Sequence, residues 1–114
     1  MSIKIYHNPR CSKSRATLAL LQEQGIEPEI IEYLKTPPGE AELDQILTML
    51  GKEPADLMRR GEQEYKDHIQ GNTLSRAETI ALMVAYPKMI ERPVVVNGDK
   101  AAVGRPPESV LSIL

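Results

Sequence analysis

Residues 7–15 read HNPRCSKSR and contain the only cysteine of the chain, Cys11. The apolar stretch before them is rich in Ile and Tyr, which predicts a strand over residues 2–6. After them, good helix formers run from Ser12 to Gln24 and stop at Gly25, which predicts a helix. The order of strand, loop and helix therefore places Cys11 where the loop becomes the helix.

This position favours an ionised thiol. The first N–H groups of a helix have no partner inside it, and the helix dipole adds partial positive charge there. A free thiol has a pKa of about 8.5, and helix N-termini with nearby cations lower it to about 3.5–7.5. Arg10, Lys13 and Arg15 bring positive charge close in sequence. The stretch therefore predicts a Cys11 thiolate with room for an anion beside it.

A second interpretation of Cys11 is inert packing, because a lone cysteine is among the residue types most often buried. The neighbouring arginine, serine and lysine make this a poor core environment. We therefore expect a reactive thiol. Composition and spacing leave the reaction open.

Length and charge limit the possible classes of protein. A chain of 114 residues with net charge −2 predicts one domain over residues 1–114 and argues against a general nucleic-acid binder. There is neither an apolar run long enough to span a bilayer nor a signal-peptide pattern. One cysteine excludes an internal disulfide, and with only His7 and His68 a structural zinc site is not expected. We expect a cytoplasmic monomer with no bound metal or cofactor and no nucleic-acid or membrane partner.

The rest of the chain completes an α/β pattern. A second strand over residues 29–34 closes a β-α-β unit with parallel strands. Residues 61–72 are polar and remain unassigned, and His68 among them is expected at the surface. The other predicted elements are helices over 40–50, from Pro54, and from the capping box at Ser75 to about Tyr86; strands over 94–96 and 100–104 joined by a turn at Asn97-Gly98-Asp99; and a final helix from Pro106.

Five segments form a joint pattern over nearly the whole chain. They are His7-Asn8-Pro9-x-Cys11-x-x-Ser14-Arg15-x-Thr17-Leu18, residues 33–38, Leu57-Met58-Arg59-Arg60, residues 91–96, and Gly104-Arg105-Pro106. Together they resemble the glutathione/glutaredoxin-coupled arsenate reductase family. The resemblance implies a thioredoxin-like mixed four-stranded sheet, β-α-β then β-β-α, with an inserted helical segment at about 38–87.

The resemblance also implies a mechanism and a set of site residues. Arg59, Arg92 and Arg105 would hold arsenate or a similar oxyanion, although Arg60 directly follows Arg59 and leaves the register of the first arginine open. Cys11 would attack arsenate, glutathione would condense on the adduct, and glutaredoxin would reduce it to release arsenite. His7 and Ser14 would lower the pKa of the thiol, and the Arg92–Pro93 peptide bond would be cis. A planar guanidinium matches oxyanion geometry in bidentate fashion.

The sequence is compatible with several alternatives. His7 is either an imidazolium that stabilises the thiolate or a hydrogen-bonded loop histidine. The substrate could be another oxyanion or a glutathione mixed disulfide, which would make the protein a glutathione-dependent thiol transferase. A third hypothesis is a Spx-type regulator that binds RNA polymerase. Redox-sensing members of that type carry Cys-x-x-Cys, and here Ser14 stands in the second position.

Overall fold

The computed structural model describes residues 3–114 and contains one mixed sheet of four strands. The strands are β1 (Ile3–Tyr6), β2 (Glu29–Ile31), β3 (Val94–Asn97) and β4 (Lys100–Val103), and the α-helices are α1 (Ser12–Glu23), α2 (Glu40–Leu50), α3 (Gln63–His68) and α4 (Arg76–Ala85). Three 3₁₀ helices span Pro54–Leu57, Pro87–Met89 and Pro107–Ile113. The predicted fold class is confirmed. Ser2, part of the first predicted strand, lies outside the described residues.

The chain divides into two compact units. The sheet unit comprises residues 3–36 and 92–114, and the helical unit comprises residues 37–91. That the two make up a single domain stays a prediction.

The sheet has the strand order β2-β1-β3-β4. β1 is parallel to β2 and antiparallel to β3, which is in turn antiparallel to β4. Ile5 in β1 stands opposite Ile30 of β2 and Val95 of β3. The β1-α1-β2 crossover and the β3-β4 hairpin are therefore the two halves that the sequence predicts.

The core of the sheet unit is aliphatic, because the chain has no Phe or Trp. Four fully buried side chains form its centre: Ile5, Leu21, Val95 and Val110. Burial of each such side chain stabilises the fold by about 1.5–3 kcal/mol. α1 and the final 3₁₀ helix pack against each other, so this core fixes the axis of α1 and with it the helix start at Ser12.

Two boundaries in the sheet unit differ from the prediction. β2 ends at Ile31 and not at residue 34, because the Glu32 carbonyl accepts hydrogen bonds from the N–H groups of Lys35 and Thr36, both at 2.9 Å, and closes a turn. In the hairpin, Asn97 still pairs with Lys100, so the turn residues are Gly98 and Asp99. Gly98 takes the positive φ of 64°, a region that glycine adopts without steric cost. The last helix is a 3₁₀ helix.

The helical unit is built from α2, α4 and shorter elements. α2 matches the predicted bounds and ends at Gly51, whose φ is 66°. α4 begins at the predicted capping box, in which the Glu78 N–H donates to Ser75 Oγ and the Ser75 N–H donates to Glu78 Oε1. The two helices pack on each other. Within the described chain, none of the helices combines the length and apolar character needed to cross a membrane.

The polar stretch that the sequence left unassigned contains α3. His68, at its end, stacks on Tyr86 with ring centroids 4.4 Å apart and is half-buried. His68 is thus partly exposed, and one face of its ring is covered by Tyr86. The stacking partner, Tyr86, lies 18 residues further along the chain, so a local sequence pattern does not reveal this contact.

Gly104 gives a test of the packing in the sheet unit. A Cβ at this position would overlap Thr17 Oγ1 and lie 2.8 Å from Pro93 Cγ. We expect Gly104→Ala to lower the free energy of unfolding by about 1–3 kcal/mol, as overpacking typically does. Urea denaturation measures the change. Gly61→Ala is the matched control, because nothing lies within 4 Å of a Cβ there; equal stabilities of the two variants would contradict the packing described here.

Candidate active site

Cys11 is the N-cap residue of α1 and has an extended backbone with φ −97° and ψ 124°. A tight turn precedes it, since the Cys11 N–H donates to the Asn8 carbonyl at 3.0 Å. The Asn8 side chain also accepts from the Arg10 N–H at 3.0 Å. The helix follows at once, because the Arg15 N–H donates to the Cys11 carbonyl at 3.0 Å. Turn and helix together place the sulfur at the helix N-terminus.

The Cys11 thiol is buried, with 8% of the residue exposed. Burial raises its pKa and is the largest single effect, but four groups oppose it. They are the backbone N–H of Ser14, the charge of Arg92, the backbone N–H of Lys13 and the guanidinium of Arg105, and together they bring the pKa of Cys11 below its ordinary value. The thiolate is therefore favoured by the helix start and two arginines.

Arg105 contacts the sulfur directly. Its Nη1 lies 3.9 Å from Cys11 Sγ and donates to the Arg92 carbonyl at 3.1 Å. The Gly104 N–H donates to the Pro93 carbonyl at 2.9 Å, so the segments that carry the two arginines are joined. The Arg92–Pro93 bond is cis, the isomer that the resemblance implies, and the Arg105–Pro106 bond is also cis. The sheet unit thus brings together three predicted site residues: Cys11, Arg92 and Arg105.

His7 and Ser14 form a second polar pair beside the cysteine. Ser14 Oγ lies 2.6 Å from His7 Nδ1 and accepts from the Asn8 N–H at 3.0 Å. The pKa of His7 lies below its ordinary value of 6.5. Burial is the largest cause of the decrease; the negative charge of Glu32 opposes it, and the positive charge of Arg15 adds to it. A neutral ring near pH 7 favours the interpretation of His7 as a hydrogen-bonded loop histidine over that of an imidazolium. Its contact with Ser14 fixes the start of the helix whose N–H groups face the sulfur.

Arg59 lies in the helical unit, and its place in an oxyanion site stays a prediction. Its guanidinium is paired with the Glu62 carboxylate, and its backbone N–H donates to the Met89 carbonyl at 2.7 Å. The neighbouring Arg60 is exposed. Sequence reasoning missed Glu62, because the pair lies between two helices, the one ending at Leu57 and the one beginning at Gln63, where helical spacing gives no signal. Within residues 3–114, no group of three His, Cys, Asp or Glu side chains could hold a metal ion.

The model of the ArsC family matches residues 6–113. The chain belongs to the ArsC family. It is 47% identical to the arsenate reductase of Haemophilus influenzae over the full length of both chains, and 52% identical to the Escherichia coli (strain K12) protein YfgD over 98% of this chain and 96% of that protein. A solved arsenate reductase from Vibrio cholerae shares 51% identity and superposes with a TM-score of 0.95, covering 100% of this chain and 98% of that one.

The acidity of Cys11 in this ArsC protein can be tested by alkylation. We expect iodoacetamide alkylation of the wild type to show a midpoint below about 8.5, the pKa of a free thiol. Arg105→Gln should raise the midpoint, because it removes the guanidinium next to Sγ. Lys100→Gln, which removes a positive charge at an exposed position of β4, is the control. An ordinary midpoint in the wild type would contradict the site as described.

The lowered pKa of His7 makes the stability of the protein depend on pH. The folded protein holds His7 with a lowered pKa, so the unfolded chain binds this proton more readily below about pH 6.5. The stabilisation from His7 is therefore present above about pH 6.5 and decreases as the pH falls toward the lowered value. Urea denaturation at several pH values should show a steeper loss in the wild type than in His7→Asn. Parallel curves would contradict the burial of a neutral His7.

Proposed function

We propose that this ArsC protein is an arsenate reductase that is coupled to glutathione and glutaredoxin. One observation supports this most directly: the Arg105 guanidinium lies against the buried, acidified sulfur of Cys11 at the start of α1. A nucleophile and cationic donors for an oxyanion are thus present at one place. Relatives that carry the name arsenate reductase support the choice of substrate.

The first step joins Cys11 to arsenic. The thiolate sulfur forms a bond to As(V), one As–O bond breaks, and the oxygen leaves as water after taking up protons. The guanidinium of Arg105 and the charge of Arg92 stabilise the negative oxygens of the oxyanion. In our proposal Arg59 supplies a third guanidinium. These three residues and Cys11 form the proposed oxyanion site.

The electrons come from outside the chain. Because Cys11 is the only cysteine, it cannot form an internal disulfide, and an external thiol must complete the reaction. Glutathione condenses with the adduct and releases water while arsenic stays at +5. A glutaredoxin thiol then attacks the glutathione sulfur, the As–S electron pair returns to arsenic, and arsenic falls to +3 as a mixed disulfide forms. Water displaces the Cys11 sulfur, arsenite leaves, and the thiolate is restored.

This scheme requires a compartment where thiols stay reduced. Cytosolic glutathione keeps thiols in this state. We therefore propose a cytoplasmic location, with glutathione and glutaredoxin as transient partners. The scheme needs no second copy of the chain and no bound cofactor, and we propose that the protein acts as a monomer.

A glutathione-dependent thiol transferase is the second candidate. The ion pair between Arg59 and Glu62 favours it, because a disulfide substrate carries no oxyanion and leaves this pair undisturbed. In that case Cys11 attacks a mixed disulfide, releases a protein thiol, and is itself regenerated by a second glutathione. The two functions therefore differ in what they require of Arg59.

Substitution of Arg59 separates the two functions. In an arsenate reductase, Arg59→Ala should weaken arsenate binding by about 1.5–3 kcal/mol, or roughly 10- to 150-fold, because a charge-assisted contact is lost. In a thiol transferase, deglutathionylation should be nearly unchanged. Arg60→Ala is the matched comparison, and a loss there in place of Arg59 would assign the first arginine to Arg60. The measurement is the KM for arsenate with glutathione and glutaredoxin present.

Cys11→Ser tests the nucleophile. We expect loss of arsenate reduction, because a serine hydroxyl cannot form the sulfur–arsenic bond of the adduct. Without that adduct there is nothing for glutathione and glutaredoxin to reduce. Equal turnover in the wild type and the variant would refute the role of Cys11. RNA polymerase retained in a pull-down, together with no affinity for oxyanions, would favour the regulator in place of either enzyme.

A further inference from the structure

A cavity of about 340 Å³ lies beside the cysteine loop within the sheet unit. One wall is formed by residues 7–10 of that loop, and the other by Glu32, Leu34 and Lys35. We call it the loop cavity. Its volume falls in the range of about 300–1,000 Å³ that small-ligand sites occupy. Neither Arg92 nor Arg105 lines it, so it is a separate position from the proposed oxyanion site.

The charges in the loop cavity form a mixed set. Arg10 and Lys35 contribute two positive charges, and Glu32 contributes one negative charge. Pro9 and Leu34 add apolar surface, and Leu34 is 40% exposed. A ligand that complements these walls carries two anionic groups and one cationic group.

The charged side chains of this cavity can accept a ligand at low cost. Lys35 Nζ lies 3.6 Å from Glu32 Oε1, and the two side chains are 79% and 42% exposed. An exposed pair of this kind contributes little to stability, so both partners can exchange it for a ligand. The loop wall is held more firmly, because the Asn8 side chain fixes the Arg10 N–H and Ser14 fixes His7.

We propose that the loop cavity binds glutathione. This tripeptide has two carboxylates, one ammonium group and a thiol in its middle, which matches the two cations and one anion of the walls. The inference rests on the proposed function, since both candidate enzymes use glutathione as the second substrate. The oxyanion and the thiol that condenses with its adduct need different positions, and the loop cavity is lined by residues other than the arginines of the oxyanion site.

In this arrangement the glutathione ammonium faces Glu32, and the carboxylates face Lys35 and Arg10. The thiol then reaches the adduct on Cys11, the residue that directly follows Arg10 of the cavity wall. In the condensation step its sulfur bonds to arsenic, an As–O bond breaks, and the oxygen leaves as water with the thiol proton. No change of oxidation state is required in this step.

The binding experiment uses S-methylglutathione, which cannot react, with the full-length protein. Titration followed by amide chemical shifts should show saturable changes at Glu32, Leu34 and Lys35. Glu32→Gln and Lys35→Gln should each weaken binding about two- to fivefold, the size expected for a partly exposed charge pair. Lys100→Gln is the matched control at an exposed position outside the cavity. No binding to the wild type, or equal affinity in all four proteins, would overturn the proposal.

An analogue that lacks the ammonium group makes the assignment specific. S-methylglutathione in which γ-glutaryl replaces γ-glutamyl should bind the wild type more weakly, and Glu32→Gln should not weaken it further. The Lys35→Gln effect should persist with this analogue. The same loss on Glu32→Gln with both ligands would show that Glu32 does not face the ammonium, and would overturn the orientation.

Kinetics distinguish this inference from the proposed function. In either enzyme the two cavity variants should raise the KM for glutathione and leave the pKa of Cys11 unchanged. If the protein binds S-methylglutathione as described but does not reduce arsenate, the proposed reductase fails and the cavity assignment stands. If arsenate is reduced and the KM for glutathione is the same in the variants and the wild type, the reductase stands and the cavity assignment fails.

Discussion

The extended backbone of Cys11 at the start of α1 is the constraint on which the site depends. Burial of a thiol disfavours its charged form, and here it is the largest effect on the pKa. The pKa of Cys11 nevertheless lies below its ordinary value, because the N–H groups of Lys13 and Ser14, the charge of Arg92 and the hydrogen bond from Arg105 act together. Since each contribution is local and falls off with distance, the acidity of Cys11 depends on keeping all four groups in place.

Packing in the sheet unit keeps those groups in place. Thr17, fully buried one turn beyond the first residues of α1, bonds to the Lys13 carbonyl at 2.8 Å and approaches the Gly104 carbonyl at 3.4 Å. Gly104 can approach so closely because it has no Cβ. The segment after β4 is therefore held against α1, and Arg105, the next residue, reaches the sulfur. Close packing and electrostatics thus depend on the same contact.

Local signals in the sequence were enough to predict most of the fold. The capping box at Ser75, Gly51 after α2 and the Gly98 turn each act within a few residues, and the structure has all three. The end of β2 was missed because it depends on hydrogen bonds to the Glu32 carbonyl, and α3 was missed because its sequence lacks apolar periodicity. The position of Cys11 at the helix start followed from the strand, loop and helix order, whereas Arg92 and Arg105 were implied by the family resemblance. The loop cavity followed from neither, since residues 7–10 and 32–35 meet only after β1 and β2 pair.

Arg59 and Glu62 form an ion pair in the helical unit. Its two side chains are 33% and 26% exposed, so an unpaired guanidinium there would lose part of its hydration without compensation. Glu62 supplies that compensation while no oxyanion is bound. If Arg59 takes the part proposed for it, the oxyanion must displace the Glu62 carboxylate, which can turn toward water because it is not fully buried. The ion pair would then orient Arg59 before binding and compete with the anion for it.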